Sequence, residues 1–326
     1  MADTQKSEGD GESRATVIAA LVANLGIAVT KFIAAALSGS AAMLAEGIHS
    51  SVDTLNQVCL LYGLKRAKKP ADDQHPLGYG MEIYFWSFVV AVLIFAIGAG
   101  LSVYEGVHSI ITGGAHSGES FPTIPLIVLG IAFAFEGYSW SVALKHFLKD
   151  RPGNGLWTDF KDMKDPSIFV VLLEDTAALL GILVAAAGLL LSFVTTHHVF
   201  DAGASIVIGI ILAAVAVILA QEVRKLLIGE AARPEVIRAT ERALDRPEVT
   251  GVNEIRSMHL GPKEILLLAS VDFEDSLSAR EIEAIVTETH DRLTDTFPDV
   301  KRVYLEVQSR GGHNRTTRAS ETGLKS

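Results

Sequence analysis

Residues 166–194 read PSIFVVLLEDTAALLGILVAAAGLLLSFV. Apart from the pair Glu174-Asp175 the stretch carries no charge, and it exceeds the roughly 20 apolar residues that cross a hydrocarbon core. Working outward, five further apolar stretches, 15–37, 41–64, 83–111, 123–147 and 202–228, complete an expected set of six membrane spans. The third and fifth are long enough to tilt or to project from the bilayer. With 49% hydrophobic and 20% charged residues segregated in this way, the 326-residue chain is neither a purely soluble globule nor a disordered chain. Its one cysteine, Cys59, excludes a disulfide scaffold, and a net charge of −10 argues against a nucleic-acid partner. The first dozen residues, Met1 to Glu12, are polar and acidic, without the basic start and apolar run of a secretory signal.

Basic residues orient the spans. Lys65, Arg66, Lys68 and Lys69 follow the second span, and Lys145, Lys149, Arg151, Lys161 and Lys164 follow the fourth. Loops near 38–40, 112–122 and 195–201 carry no Lys or Arg. The alternation predicts that both termini face the cytoplasm. A bacterial inner (plasma) membrane is the expected location, from the compactness of the chain.

Composition changes after Gly229. Residues 230–309 hold ten Lys/Arg against seventeen Asp/Glu. Their pattern predicts helix 234–246, strands 251–260 and 264–274, helix 278–297 and strand 300–308, an α-β-β-α-β order with helices on one sheet face. Ser278 and Glu281 have the spacing of a capping box, and Gly261-Pro262 marks the turn between the first two strands. Four regions are expected: a disordered cytoplasmic N-terminus (1–14), a six-span all-α transmembrane domain (15–229), a cytoplasmic α+β domain (230–309) and a disordered tail (310–326).

Ionisable groups inside spans cost roughly 2.5–3.5 kcal/mol each on insertion scales, so they need a reason. Span two holds Glu46, His49, Asp53, Asn56 and Gln57, with steps of three and four that place most of them on one helix face. Span five holds Glu174 and Asp175, span one Asn24 and span four Glu136. At about 1.5 Å of rise per residue, Asp53 lies about 18 Å from the outer face, and Asp175 and Asn24 about 14 Å from the inner face. His49, Asp53, Asp175 and Asn24 therefore share a level near the midplane. Imidazole with carboxylates suits zinc and other first-row divalent ions. Two carboxylates would cancel the charge of such an ion and so offset the burial of its ligands. The plainer alternative is that these groups satisfy one another through interhelical hydrogen bonds.

Three motifs in this order resemble the cation diffusion facilitator family, over roughly residues 15–308. His49-Ser50-Ser51-Val52-Asp53 is similar to its metal motif on the second span. Asp72-Asp73-Gln74-His75-Pro76-Leu77-Gly78-Tyr79-Gly80 is similar to its signature before the third span. Leu173-Glu174-Asp175-Thr176-Ala177-Ala178-Leu179-Leu180-Gly181 resembles the fifth-span motif of the divergent branch containing the ninth human zinc transporter.

The resemblance implies a metallochaperone-like cytoplasmic domain that dimerises. It also implies a metal/proton exchanger whose transport site is His49, Asp53 and Asp175. A fourth donor is implied four residues before Asp175, where this chain has Val171; Glu174, Glu46, Asn24, Glu136 or a water are the candidates to complete the set. Asp72, Asp73 and His75 are candidates for a second cation site by analogy with the family, against the alternative of a turn built by Pro70, Pro76, Gly78 and Gly80. With only His259 and His290 in its folded part, the cytoplasmic domain is expected to hold no strong structural zinc.

The expected function is that of a homodimeric secondary transporter in the lipid bilayer. It exports divalent metal from the cytoplasm in exchange for protons, with zinc first and manganese, iron or cobalt as alternatives. No resident cofactor and no enzymatic activity are expected. A membrane-embedded metal-dependent hydrolase is the alternative, although the chain lacks an H-E-x-x-H pair. A scaffold recruiting partners through its acidic domain is a third class.

Overall fold

The computed structural model describes residues 24–113, 121–150, 155 and 165–323. The expected N-terminal region 1–14 and the start of the first span lie outside the described residues. The chain divides into two compact units, Met1–Lys65 with Ile83–Arg224 and Arg66–Glu82 with Lys225–Ser326.

The first unit is helical. Its elements are α1 (Asn24–Ser38), α2 (Ala41–Ala67), α3 (Glu82–Thr112), α4 (Thr123–Asp150), α5 (Pro166–Thr195) and α6 (Val199–Ile228). Four of these, α3 to α6, are long and apolar enough to cross a membrane by length and composition. Helix α3 is continuous through a π-helical segment, Ile94–Ala99. Small residues let the helices approach closely, as in membrane bundles generally. A Cβ on Gly209 would stand 3.0 Å from the Ala99 carbonyl, and one on Gly106 would stand 2.7 Å from the Ala202 carbonyl, so α3 and α6 touch backbone to backbone. At the head of α2, Asp201 of α6 accepts from the Ser40 hydroxyl at 2.5 Å and the Ala41 amide at 2.7 Å. That carboxylate satisfies helix-terminal donors that lipid would leave unpaired.

The second unit contains α7 (Pro234–Leu244), β1 (Val249–Gly261), β2 (Glu264–Phe273), α8 (Ala279–Thr296) and β3 (Val300–Val307). The α-β-β-α-β order stands, with ends displaced by one or two residues. The sheet order is β1-β2-β3, antiparallel between β1 and β2 and parallel between β2 and β3. Alternate residues of the central strand, Ile265, Leu267, Ala269, Val271 and Phe273, are buried. They form a core with Val236, Leu244, Ile285 and Val300, which places α7 and α8 on that face. Full burial of each such aliphatic side chain contributes about 1.5–3 kcal/mol. The capping box is formed: Glu281 accepts from the Ser278 amide at 2.7 Å, and the Ser278 hydroxyl oxygen accepts from the Glu281 amide.

The tail departs from the expectation of disorder. Residues Arg310–Gly323 form a helix, α9. Its start is held by side chains that composition does not reveal. The Arg310 amide donates to Asp272 at 2.9 Å, and the Gly312 amide donates to the Ser309 hydroxyl at 3.2 Å.

The segment Arg66–Glu82 is built around Asp72. One carboxylate oxygen accepts from the Gln74 and His75 amides at 3.1 and 2.9 Å; the other accepts from Lys69 at 2.9 Å and from the Tyr79 hydroxyl at 2.7 Å. These bonds, Tyr79's first and Lys69's next, hold the Asp72 carboxyl far below the usual carboxylate range. Gly80 then meets the Leu260 carbonyl closer than any Cβ would allow, and Gly261 faces it in turn. The segment is thereby seated on the β1–β2 turn within its own unit.

Candidate metal centre

A cavity of about 640 Å³ in the helical unit is lined from four helices. Asn24 comes from α1, Asp53 and Gln57 from α2, Glu136, Ser139 and His146 from α4, and Val171, Glu174 and Asp175 from α5. On α4 the residues 136, 139, 143 and 146 follow helical steps of three and four, so one face of that helix forms the wall. Asn24, Asp53, Glu136, Glu174 and Asp175, chosen from separate stretches of sequence, are thus brought together.

Their partners are few. Asn56 donates to Glu174 at 2.8 Å. Asp175 is hydrogen-bonded to Ser139 through one oxygen, while its Oδ2 has no partner among the described residues. Asp53 Oδ1 is likewise buried without a hydrogen-bond partner. Buried lone pairs of this kind cost free energy unless something fills them, and a divalent cation is the filler that suits carboxylate oxygens.

His49 does not line the cavity. It is 1% exposed and stands one helical turn beyond Asp53, its Nδ1 3.3 Å from Asp53 Oδ1. That distance is within ion-pair range, but the alignment does not make a hydrogen bond, so both ring nitrogens are unpartnered among the described residues. The lining on α2 runs from Gln57 to Asp53 and ends there, which leaves His49 past the end of the hollow. Among the described residues no three His, Cys, Asp or Glu side chains stand close enough to hold a metal. The expected triad of His49, Asp53 and Asp175 is therefore not a closed coordination sphere in this structure.

Glu46, a candidate completing donor, is ion-paired in this structure. Its Oε2 accepts from the Lys31 ammonium at 2.9 Å, and Lys31 donates as well to the Ser50 hydroxyl at 2.7 Å. Both side chains of the pair are 0% exposed. Gly181 on α5 leaves the room that Glu46 Oε1 occupies. A carboxylate already paired with an amine donor at 2.9 Å is a poor ligand for a second cation. Lys31 carried the signal that would have found it: an ionisable residue within an apolar run. In the second candidate site, all the lone pairs that Asp72 presents are directed at local donors, while Asp73 and His75 are exposed. The Asp72 hydrogen bonds close a local turn.

The family described as the cation efflux transmembrane domain matches residues 17–228. The chain belongs to the cation efflux family. Human proton-coupled zinc antiporter SLC30A9, mitochondrial, is 31% identical over 274 residues, 83% of this chain and 47% of the relative. Metal tolerance protein C4 of Arabidopsis thaliana is 32% identical over 82% of this chain and 59% of its own length. Manganese efflux system protein MneP of Bacillus subtilis (strain 168) is 21% identical over 92% of this chain and 97% of its own length.

The chain spans about half the length of the human relative. Cation efflux proteins are transporters and not enzymes, so the hydrolase alternative falls. With its long apolar helices, this member is a multi-pass membrane protein. The expected bacterial inner membrane draws no support from relatives of human mitochondria and of a plant.

Proposed function

We propose that the chain is a secondary transporter that moves divalent cations, zinc foremost, out of the compartment holding its termini, in exchange for protons. The observation that carries this reading is the shared cavity: Asp53 of α2 and Asp175 of α5, each with an oxygen unpartnered among the described residues, face one hollow. Together they would cancel the ion's double charge, and Glu174, Glu136 and Asn24 line the same cavity as completing donors. His49, one turn beyond Asp53, would join the set as the ion passes that level. Ligation requires deprotonated side chains, so protons arriving from the far side would release the metal. The mixed imidazole–carboxylate donor set favours zinc over harder ions.

In this reading α1 and α2 join α3 to α6 to make six spans. Both termini face the cytoplasm, as the Lys/Arg alternation of the loops requires. The cytoplasmic domain beyond the last span pairs with a second copy of the chain. The relatives support the substrate class: the human one is named a zinc antiporter and the Bacillus one a manganese efflux protein.

The test is flux into proteoliposomes holding the purified full-length chain, compared across zinc, manganese, iron and cobalt, with and without an imposed pH gradient. Zinc uptake accelerated by the gradient, and reduced to the protein-free background by Asp53→Asn and by Asp175→Asn, is the expected result. Undiminished flux in both variants removes the site. Flux indifferent to the gradient removes proton exchange.

A further inference from the structure

Among the described residues the cavity has one imidazole on its wall, and it is not His49. Of the lining residues only His146, near the end of α4, offers a ring nitrogen. Its level follows from the contact between α4 and α5, where Trp140 Nε1 donates to Thr176 Oγ1 at 3.0 Å. His146 lies six residues beyond Trp140, about 9 Å along α4, and Val171 lies five residues before Thr176, about 7.5 Å along α5. The two helices run in opposite directions, so His146 stands level with Val171. At that level α5 presents only the apolar side chains Ile168 and Val171 to the hollow. Asp175 is one turn deeper, about 6 Å past Val171.

We propose that His146 is a cation-binding residue of the transport path, taking a zinc-like divalent ion at the α4–α5 mouth of the cavity and passing it to Asp175 and Asp53. This rests on the reading of the cavity as the transport site. The chemistry suits the position. A neutral imidazole binds first-row divalent ions without adding charge, so the ion is held there more weakly than between two carboxylates farther in. A gradient of that kind lets an ion enter and move on. Val171 opposite supplies no donor, so between these two helices capture at this level depends on α4. Helix periodicity joins the residue to the path: Glu136, Ser139 and His146 share one face of α4, leading from the mouth to the level of the acids.

Zinc flux is measured on the full-length chain carrying His146→Ala, His146→Gln or His146→Asp. Removing a capture ligand should raise the half-saturating zinc concentration about ten-fold in the Ala and Gln variants, with the maximal rate little changed. His146→Asp keeps a ligand, so its half-saturating concentration should fall below that of the Ala and Gln variants. Because His146 is exposed on the wall, none of these changes empties a packed core. The second measurement does not depend on turnover. With Cys59, the single native cysteine, replaced by serine, His146→Cys is labelled by a membrane-impermeant maleimide, and zinc should slow the labelling.

Unchanged half-saturation in the Ala variant, or labelling indifferent to zinc, overturns the proposal. If Asp53→Asn and Asp175→Asn still abolish flux in that case, only His146 is removed. If they too leave flux intact, the transport-site reading falls with it.

Discussion

Replacing Lys31 by methionine should strongly destabilise the helical unit. The side chain is 0% exposed, 2.9 Å from Glu46 Oε2 and 2.7 Å from the Ser50 hydroxyl. Methionine fills most of the aliphatic stem but leaves the Glu46 carboxylate without its cation, its other oxygen already lacking a partner among the described residues. Stranding one member of a buried ion pair costs about 3–5 kcal/mol. Glu46→Gln strands the ammonium less completely, because the amide oxygen and Ser50 still accept from it; about 1–3 kcal/mol is expected. The double variant Lys31→Met/Glu46→Gln removes both charges, and a buried pair exchanged for neutral groups of similar volume is often close to neutral. Thermal or denaturant unfolding of the three variants in one detergent gives a double-mutant cycle; with the singles costing about 4–8 kcal/mol together and the double variant near neutral, the expected coupling is at least about 4 kcal/mol. The double variant should also retain zinc flux, since Glu46 is engaged by Lys31 and not offered to the ion. A double variant as unstable as the sum of the singles refutes the reasoning. So does a Lys31→Met variant within about 1 kcal/mol of the parent, the range of an exposed pair.

Two further tests concern the second unit. The Asp72 carboxyl sits far below its unfolded value near 3.9, so its stabilisation is complete above that pH and is lost as pH falls toward the depressed folded value. Acid unfolding of the full chain, followed from pH 6 downward, should shift to higher pH in Tyr79→Phe and lose this component in Asp72→Asn; an unchanged acid limb in both would contradict the network. Gly80→Ala places a methyl group against the Leu260 carbonyl, with Glu264 Oε2 3.1 Å from it. Overpacking against backbone should cost about 1–3 kcal/mol, read as a lower denaturation midpoint, and a neutral effect would mean that the segment is not seated on the β1–β2 turn.

Local chemistry explains what could be read along the chain. The apolar runs, the capping box of Ser278 and Glu281, the alternation of β2 and the break at Gly261-Pro262 all depend on residues a few positions apart, and each reappears in three dimensions. Asp53, Glu174 and Asp175 were legible because charge in an apolar run is costly wherever its helix turns. The allocation of partners was not legible. Glu46 and His49 lie three residues apart on one helix, yet one is locked to Lys31 and the other lies past the end of the cavity. His146, next to Lys145 in the chain, does not stand out in the sequence, yet it lines the cavity wall. Periodicity along one chain gives the angle between side chains on a helix. It does not give the rotation of that helix about its axis, nor its slide against a neighbour. Those are settled by packing, through contacts such as Gly181 against Glu46 and Trp140 against Thr176, between residues distant in the chain. A rotation of one residue, about 100°, turns a cavity-lining side chain into a lipid-facing one, so the make-up of the cavity wall was decided by how the helices docked.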